Sequence, residues 1–91
     1  MNTIMFYVDW NGRTRHVIIH PTSPAVTLYS AACYGTGAYL EYTRKGDQLI
    51  EDERVFDTDK DDFVLARQRK ALIPSGADGH VALNWTWTKE F

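Results

Sequence analysis

Two histidines and three aspartates carry the spacing of metal ligands. His16 and His20 stand four residues apart, the interval that on a helix puts two imidazoles on one face of a zinc site. The residues between them are Val17, Ile18 and Ile19, all β-branched, and along a strand four residues separate the rings by ~13 Å at ~3.3 Å per residue. One zinc cannot take both, and no glutamate follows His16. The expectation is that His16 pairs across a sheet with Tyr7. Asp57, Asp59 and Asp61 fill the first, third and fifth positions of a calcium-binding loop. The sixth, where the turn needs glycine, is Asp62, and the twelfth, where a bidentate glutamate belongs, is Gln68. These aspartates are read as residues that cap turns in an acidic loop. No metal and no cofactor is expected.

Covalent catalysis has as little to start from. Cys33 lies among Ala31, Ala32 and Tyr34, an apolar setting that favours a buried, inert thiol over an activated one. There is no Gly-x-Ser-x-Gly elbow and no glycine-rich phosphate loop; Gly35-Thr36-Gly37 is too short to be either. Glu41, between Leu40 and Tyr42, is a single carboxylate without a partner, and acid–base work needs more. No catalytic residue is assigned.

What remains is charge. Between Glu51 and Asp62 seven acids, Glu51, Asp52, Glu53, Asp57, Asp59, Asp61 and Asp62, stand against Arg54 and Lys60. A charge run is ordinarily a solvated face. Here Val55 and Phe56 interrupt it and are expected to anchor it to the core, holding the acids in a fixed shape for a basic partner. A second set is cationic. Trp10, Arg13 and Arg15 cluster near one another, and Arg67, Gln68, Arg69 and Lys70 form the densest basic run. Aromatics beside cations on a sheet make the stacking platform of single-strand binders. Trp10, Arg13, Arg15, Arg67, Arg69 and Lys70 are therefore the contact set of an alternative, nucleic-acid-binding reading. A formal net charge of −2 gives that reading no general basic field.

The elements that must position these groups are short. The chain has 91 residues, 44% apolar and 24% charged, which fits one globular domain over residues 1–91 and leaves no room for a separate cofactor domain. The single cysteine excludes a disulfide-stapled secreted scaffold. The first residues lack the basic and apolar regions of a signal peptide, and no apolar run approaches the ~20 residues that span a bilayer. A cytoplasmic protein without a membrane partner is expected. Three Trp, five Tyr and four Phe are more rings than a small core ordinarily absorbs, and such excess often lies in subunit interfaces. A homodimer is one reading of it.

Ile4, Phe6, Val8 and Trp10 alternate with Thr3, Met5, Tyr7 and Asp9, the period of a strand buried on one face. Asn11-Gly12 then predicts a two-residue hairpin turn, with Trp10 opposite Arg13 and Ile4 opposite Ile19. Trp10 is expected at an exposed tip between arginines. Ser23 as N-cap and Pro24 at the first helical position predict a helix over Ala25 to Tyr34, with Gly35 just past its end. Ala38 to Arg44 reads as a strand, Lys45-Gly46-Asp47 as a turn, and Gln48-Leu49-Ile50 as the return. Phe63 to Ile73 has neither a helical stripe nor a clean alternation and stays undecided. Val81, Leu83, Trp85 and Trp87 alternate with polar or small residues, the pattern of a closing strand.

These elements predict an α+β fold: a small single domain whose antiparallel sheet, the N-terminal hairpin plus the C-terminal strand, packs on one or two short helices. The core should hold Ile4, Phe6, Val17, Ile19, Leu28, Leu40, Val81, Leu83 and Trp85. Phe56 and Trp87 are placed in the core as well. No motif specific to one family is present. In size, in the absence of a targeting signal and in the absence of catalytic motifs, the chain resembles the small proteins with which phages and mobile elements bind and block host factors. That resemblance implies an inhibitor, and the acidic run points it to a basic, nucleic-acid-handling protein. The leading expectation is thus a non-enzymatic protein-binding module. A small single-strand nucleic-acid-binding domain is the alternative, and a small enzyme without a recognisable motif is the third reading.

Overall fold

Asn11 and Gly12 adopt φ values of 53° and 71°, the positive pair that a two-residue hairpin turn requires. The turn fixes a register running from Ile4 opposite Ile19 to Trp10 opposite Arg13, as the alternation of the flanking residues demands. The computed structural model describes residues 3–31 and 37–90. Its strands are β1 (Ile4–Trp10), β2 (Arg13–Ile19), β3 (Ala25–Ala31), β4 (Gly37–Lys45), β5 (Gln48–Asp57), β6 (Asp62–Leu72), β7 (Gly79–His80) and β8 (Trp85–Glu90). They form two sheets, ordered β2-β1-β7 and β3-β4-β5-β6-β8. Among the described strands only the β1–β7 pair is parallel.

The α+β expectation is overturned: the described residues form strands and no helix. The predicted helix over Ala25 to Tyr34 is β3 as far as Ala31. Its residues alternate, Val26 and Leu28 turning inward while Ala25, Thr27 and Tyr29 are exposed, and it pairs with β4 from Ala25 opposite Thr43 to Ala31 opposite Gly37. The β-branched Val26 and Thr27 favour this arrangement. The proline and serine that suggested a helix start instead turn the chain between sheets, with the Ser23 amide donating to the His20 carbonyl (3.1 Å) and the Arg44 amide to that of Pro24 (2.7 Å). Cys33 and Gly35 lie outside the described residues.

The undecided segment is β6. Glu53 faces Arg67 while Arg54 faces Leu65, so Ala66 is an extra residue and the alternation changes phase there, as at any β-bulge. The inward positions beyond the bulge are Arg67 and Arg69, which hide the apolar period further. The closing strand is in two pieces. Gly79–His80 pairs with β1, Trp85–Glu90 pairs with β6, and residues 81–84 cross from one sheet to the other. Val81 and Leu83 still turn inward during the crossing.

One apolar cluster lies between the sheets. Ile4, Phe6, Val17, Ile19 and Leu40 are buried in it as expected, and Leu28, Val81, Leu83 and Trp85 pack against it half-buried. Val8, Trp10, Tyr42, Leu49 and Ile73 belong to it too. Trp10 corrects the expectation of an exposed tip, since the second sheet covers it and leaves 9% of its surface in contact with water. Trp87 corrects the opposite one, at 44% exposed. Phe56 stays out of the cluster and instead meets the ring of Phe63 edge to face at 5.3 Å.

Candidate functional site

Cross-strand register decides the fate of the acidic run. On β5, Leu49, Glu51 and Glu53 point toward the core, and β6 sets Ala71, Arg69 and Arg67 opposite them. Glu51 is buried at 4% exposure. Its two oxygens accept from Nε and Nη2 of Arg69, both at 2.8 Å, and Oε2 also accepts the Tyr42 hydroxyl at 2.7 Å. A buried carboxylate is tolerable when this fully paired. Burial, and then the Glu51 charge, push the Tyr42 phenol well above its ordinary range. The Arg69 guanidinium lies over two rings, 4.4 Å from the Trp85 ring centre and 5.3 Å from that of Trp87.

The next rung is similar and wetter. Arg67 grips Glu53 through Nε (3.1 Å) and Nη2 (3.0 Å) and sits 4.8 Å from the Trp87 ring centre. The Glu53 hydrogen bond holds the Arg67 guanidinium above its already high pKa. On the other face of β5, Asp52 accepts from the Gln68 amide at 2.7 Å and lies 3.7 Å from Arg54. Glu51, Asp52 and Glu53 are thus consumed by bonds within the sheet. Two of the cations assigned to nucleic acid, Arg67 and Arg69, are what consumes them.

The remaining acids gather where β5 turns into β6. Asp57 accepts the amides of Asp59 (2.9 Å) and Lys60 (3.4 Å), the turn-capping role read from the sequence. Asp62 accepts the Phe63 amide at 2.8 Å, and Asp61 takes a φ of 53°. Asp59, Asp61 and Asp62 are exposed. Behind this tip, the face of the five-stranded sheet turned away from the core carries Tyr29, Tyr39, Phe56 and Phe63. Tyr39 and Phe63 meet edge to face at 5.0 Å; Tyr29 is 62% exposed. Tyr39, Phe56 and Phe63 are half-buried.

Part of the nucleic-acid set comes together: Trp10, Arg67 and Arg69 line one cavity of about 150 Å³, shared with Glu51 and Glu53, and Arg13 stands opposite Trp10. Trp10 is in the core; Arg13 and Arg15 lie on the smaller sheet; Lys70 occupies the face of β6 opposite to that of Arg67 and Arg69. His16 does pair with Tyr7, their rings stacked at 4.9 Å, and His80 joins them 5.5 Å from Tyr7 and 5.2 Å from His16. Among the described residues, no group of three His, Cys, Asp or Glu side chains is arranged to hold a metal ion.

Sequence reasoning missed the Tyr42–Glu51–Arg69 cluster. The signal it overlooked is the alternation Leu49, Glu51, Glu53, which makes both glutamates inward residues once Gln48 to Asp57 is one strand. It also missed a cleft between β1 and residues 81–85, of about 530 Å³, floored by Arg69 and Trp85. Among the described residues no helix is long and apolar enough to cross a membrane. No protein family, curated protein or solved structure matches this chain.

Proposed function

We propose that the protein is a non-enzymatic protein-binding module that engages a basic surface of a macromolecular partner, in the manner of a small inhibitor. One observation carries this reading: exposed aspartates stand at the β5–β6 end beside an outer sheet face on which Tyr29 is exposed and Tyr39, Phe56 and Phe63 are half-buried. Tyr29, Tyr39, Phe56 and Phe63 supply apolar contact area, and Asp59, Asp61 and Asp62 supply a charged rim, the division of labour of a protein interface. The paired charges on β5 and β6 stiffen the sheet that carries this end, so little order has to be gained on binding. Acidic complementarity would chiefly speed encounter and select basic partners. A reducing, cytoplasmic setting suits a chain with a single cysteine.

Asp59→Lys together with Asp62→Lys tests the reading, because neither side chain is bonded across the sheet. Capture of a basic protein by the wild type and its loss with this variant supports it. Equal capture by both refutes it. In parallel, a fluorescence-anisotropy titration with mixed-sequence oligonucleotides should show no binding that survives between 50 and 200 mM salt; salt-resistant binding would favour the nucleic-acid alternative instead.

A further inference from the structure

The two sheets approach each other through β2 and β3 on one side and part on the other. There β1 is paired with β7 for only two residues, Ile4 and Met5, before the chain crosses to pair with β6. The carbonyl of Thr3 accepts the Gly79 amide at 2.7 Å and that of Met5 the Val81 amide at 2.9 Å. Main-chain polar groups point alternately to the two sides of a strand. The amides and carbonyls of Tyr7 and Asp9 therefore aim the same way as those of Thr3 and Met5, away from β2 and into the cleft. Among the described residues no main-chain group meets them there. They form a strand edge with four unmet hydrogen-bonding groups, set in a cleft of about 530 Å³.

The walls specify more than a backbone. Phe6, Val8, Leu83 and Trp85 line the inner side with Arg69, whose charge is already taken by Glu51. Side chains pointing inward from an added strand would meet an apolar wall. On the outer side Asp9 is exposed and accepts the Thr14 hydroxyl (2.6 Å), with no cationic partner among the described residues. A residue placed beside it on an added strand would gain from a positive charge.

We propose that this seam takes an extended segment of a partner protein as an added β-strand. The segment would pair with the main chain of Tyr7 and Asp9, carry apolar residues at alternate inward positions, and set lysine or arginine beside Asp9. Strand addition of this kind draws affinity from main-chain bonds and specificity from alternate side chains. The proposal rests on the protein-binding reading and adds a second contact to it, away from the aspartate tip.

The test uses the whole protein and three short peptides that alternate valine with lysine, with threonine or with glutamate. Addition of the lysine peptide should slow hydrogen exchange at the Tyr7 and Asp9 amides, and it should bind about fivefold tighter than the glutamate peptide. Asp9→Asn keeps the amide and should level the three affinities. Asp9→Pro removes an amide that β2 does not use, a placement proline tolerates at a strand edge, and should weaken every peptide by about a further tenfold. Should that variant not fold, the exchange measurement on the wild type still decides.

Peptide binding without protection of the two amides overturns the proposal, as does no binding at millimolar peptide. Amides protected in the free protein and released on dilution would assign the seam to a second copy, overturning it equally. Failure here leaves the Asp59 and Asp62 variants to judge the wider reading, so the two can fail separately.

Discussion

Glu51 shows how far a side chain's role depends on what its register puts opposite. In the sequence it is one of seven acids in a run; in the fold it is a buried anion held by Arg69 and Tyr42. Its cation lies eighteen positions downstream, and a bulge intervenes in the pairing between them and the tip, so no local pattern announces the pair. Breaking such a pair from one side leaves a buried charge unpaired. Glu51→Gln is expected to cost about 3–5 kcal/mol in urea denaturation, whereas Glu51→Leu with Arg69→Met should recover most of that loss. Equal cost for single and double variants would contradict the role given to the pair. Tyr42 adds a pH dependence of defined sign. Its folded phenol is held protonated above the ordinary value, so the unfolded chain loses this proton first as pH rises above about 10. Stability should be unaffected by this group at lower pH and fall through the alkaline range, by up to about 1.4 kcal/mol per pH unit. Denaturation of Tyr42→Phe at pH 7 and pH 11 should show a weaker protein at neutral pH with a shallower alkaline decline. An unchanged decline would remove Tyr42 from the account.

Elements were legible where one face alone is apolar and the turn is short. The β1–β2 hairpin could be read to the residue because Asn11-Gly12 sets the register and the alternation agrees with it. β4 and its turn into β5 were equally plain. β3 was not, because Ser23-Pro24 carries the chemistry of a helix start while Val26 and Thr27 carry that of a strand; pairing with β4 settles the contest. β6 was hidden by Ala66, which shifts the period, and by arginines at inward positions. Of the site, the tip aspartates and the Tyr7–His16 pair could be read from the sequence, whereas the buried ion pair and the seam needed the sheet order. The tip also makes a prediction of its own. Asp61 occupies the left-handed region at φ 53°, where a β-branched side chain is strained and glycine is not. Asp61→Val should lower stability by about 1–2 kcal/mol and Asp61→Gly should leave it within about 0.5 kcal/mol, as thermal unfolding would show. Equal losses for both would contradict the turn geometry.

At the scale of the whole molecule, two sheets share one core and the chain extends over 44 × 23 × 23 Å. The acids divide into those that hold the sheet together and those that reach the solvent. Glu51, Asp52 and Glu53 belong to the first kind, and Asp59, Asp61 and Asp62 to the second. A net charge of −2 conceals this division, because the cations nearest the first group cancel it inside the fold and leave the tip uncompensated except by Lys60. The protein-binding reading depends on that separation. Its most direct test measures melting temperature and capture of the basic partner side by side for two variants. One is Asp59→Lys with Asp62→Lys, and the other is Glu53→Gln with Arg67→Gln, which keeps the net charge constant. The first variant is expected to lose the partner at nearly unchanged melting temperature, while the second melts lower and captures as the wild type does. Retained capture by the first variant, or its loss by the second at a temperature where that variant remains folded, would contradict the protein-binding reading.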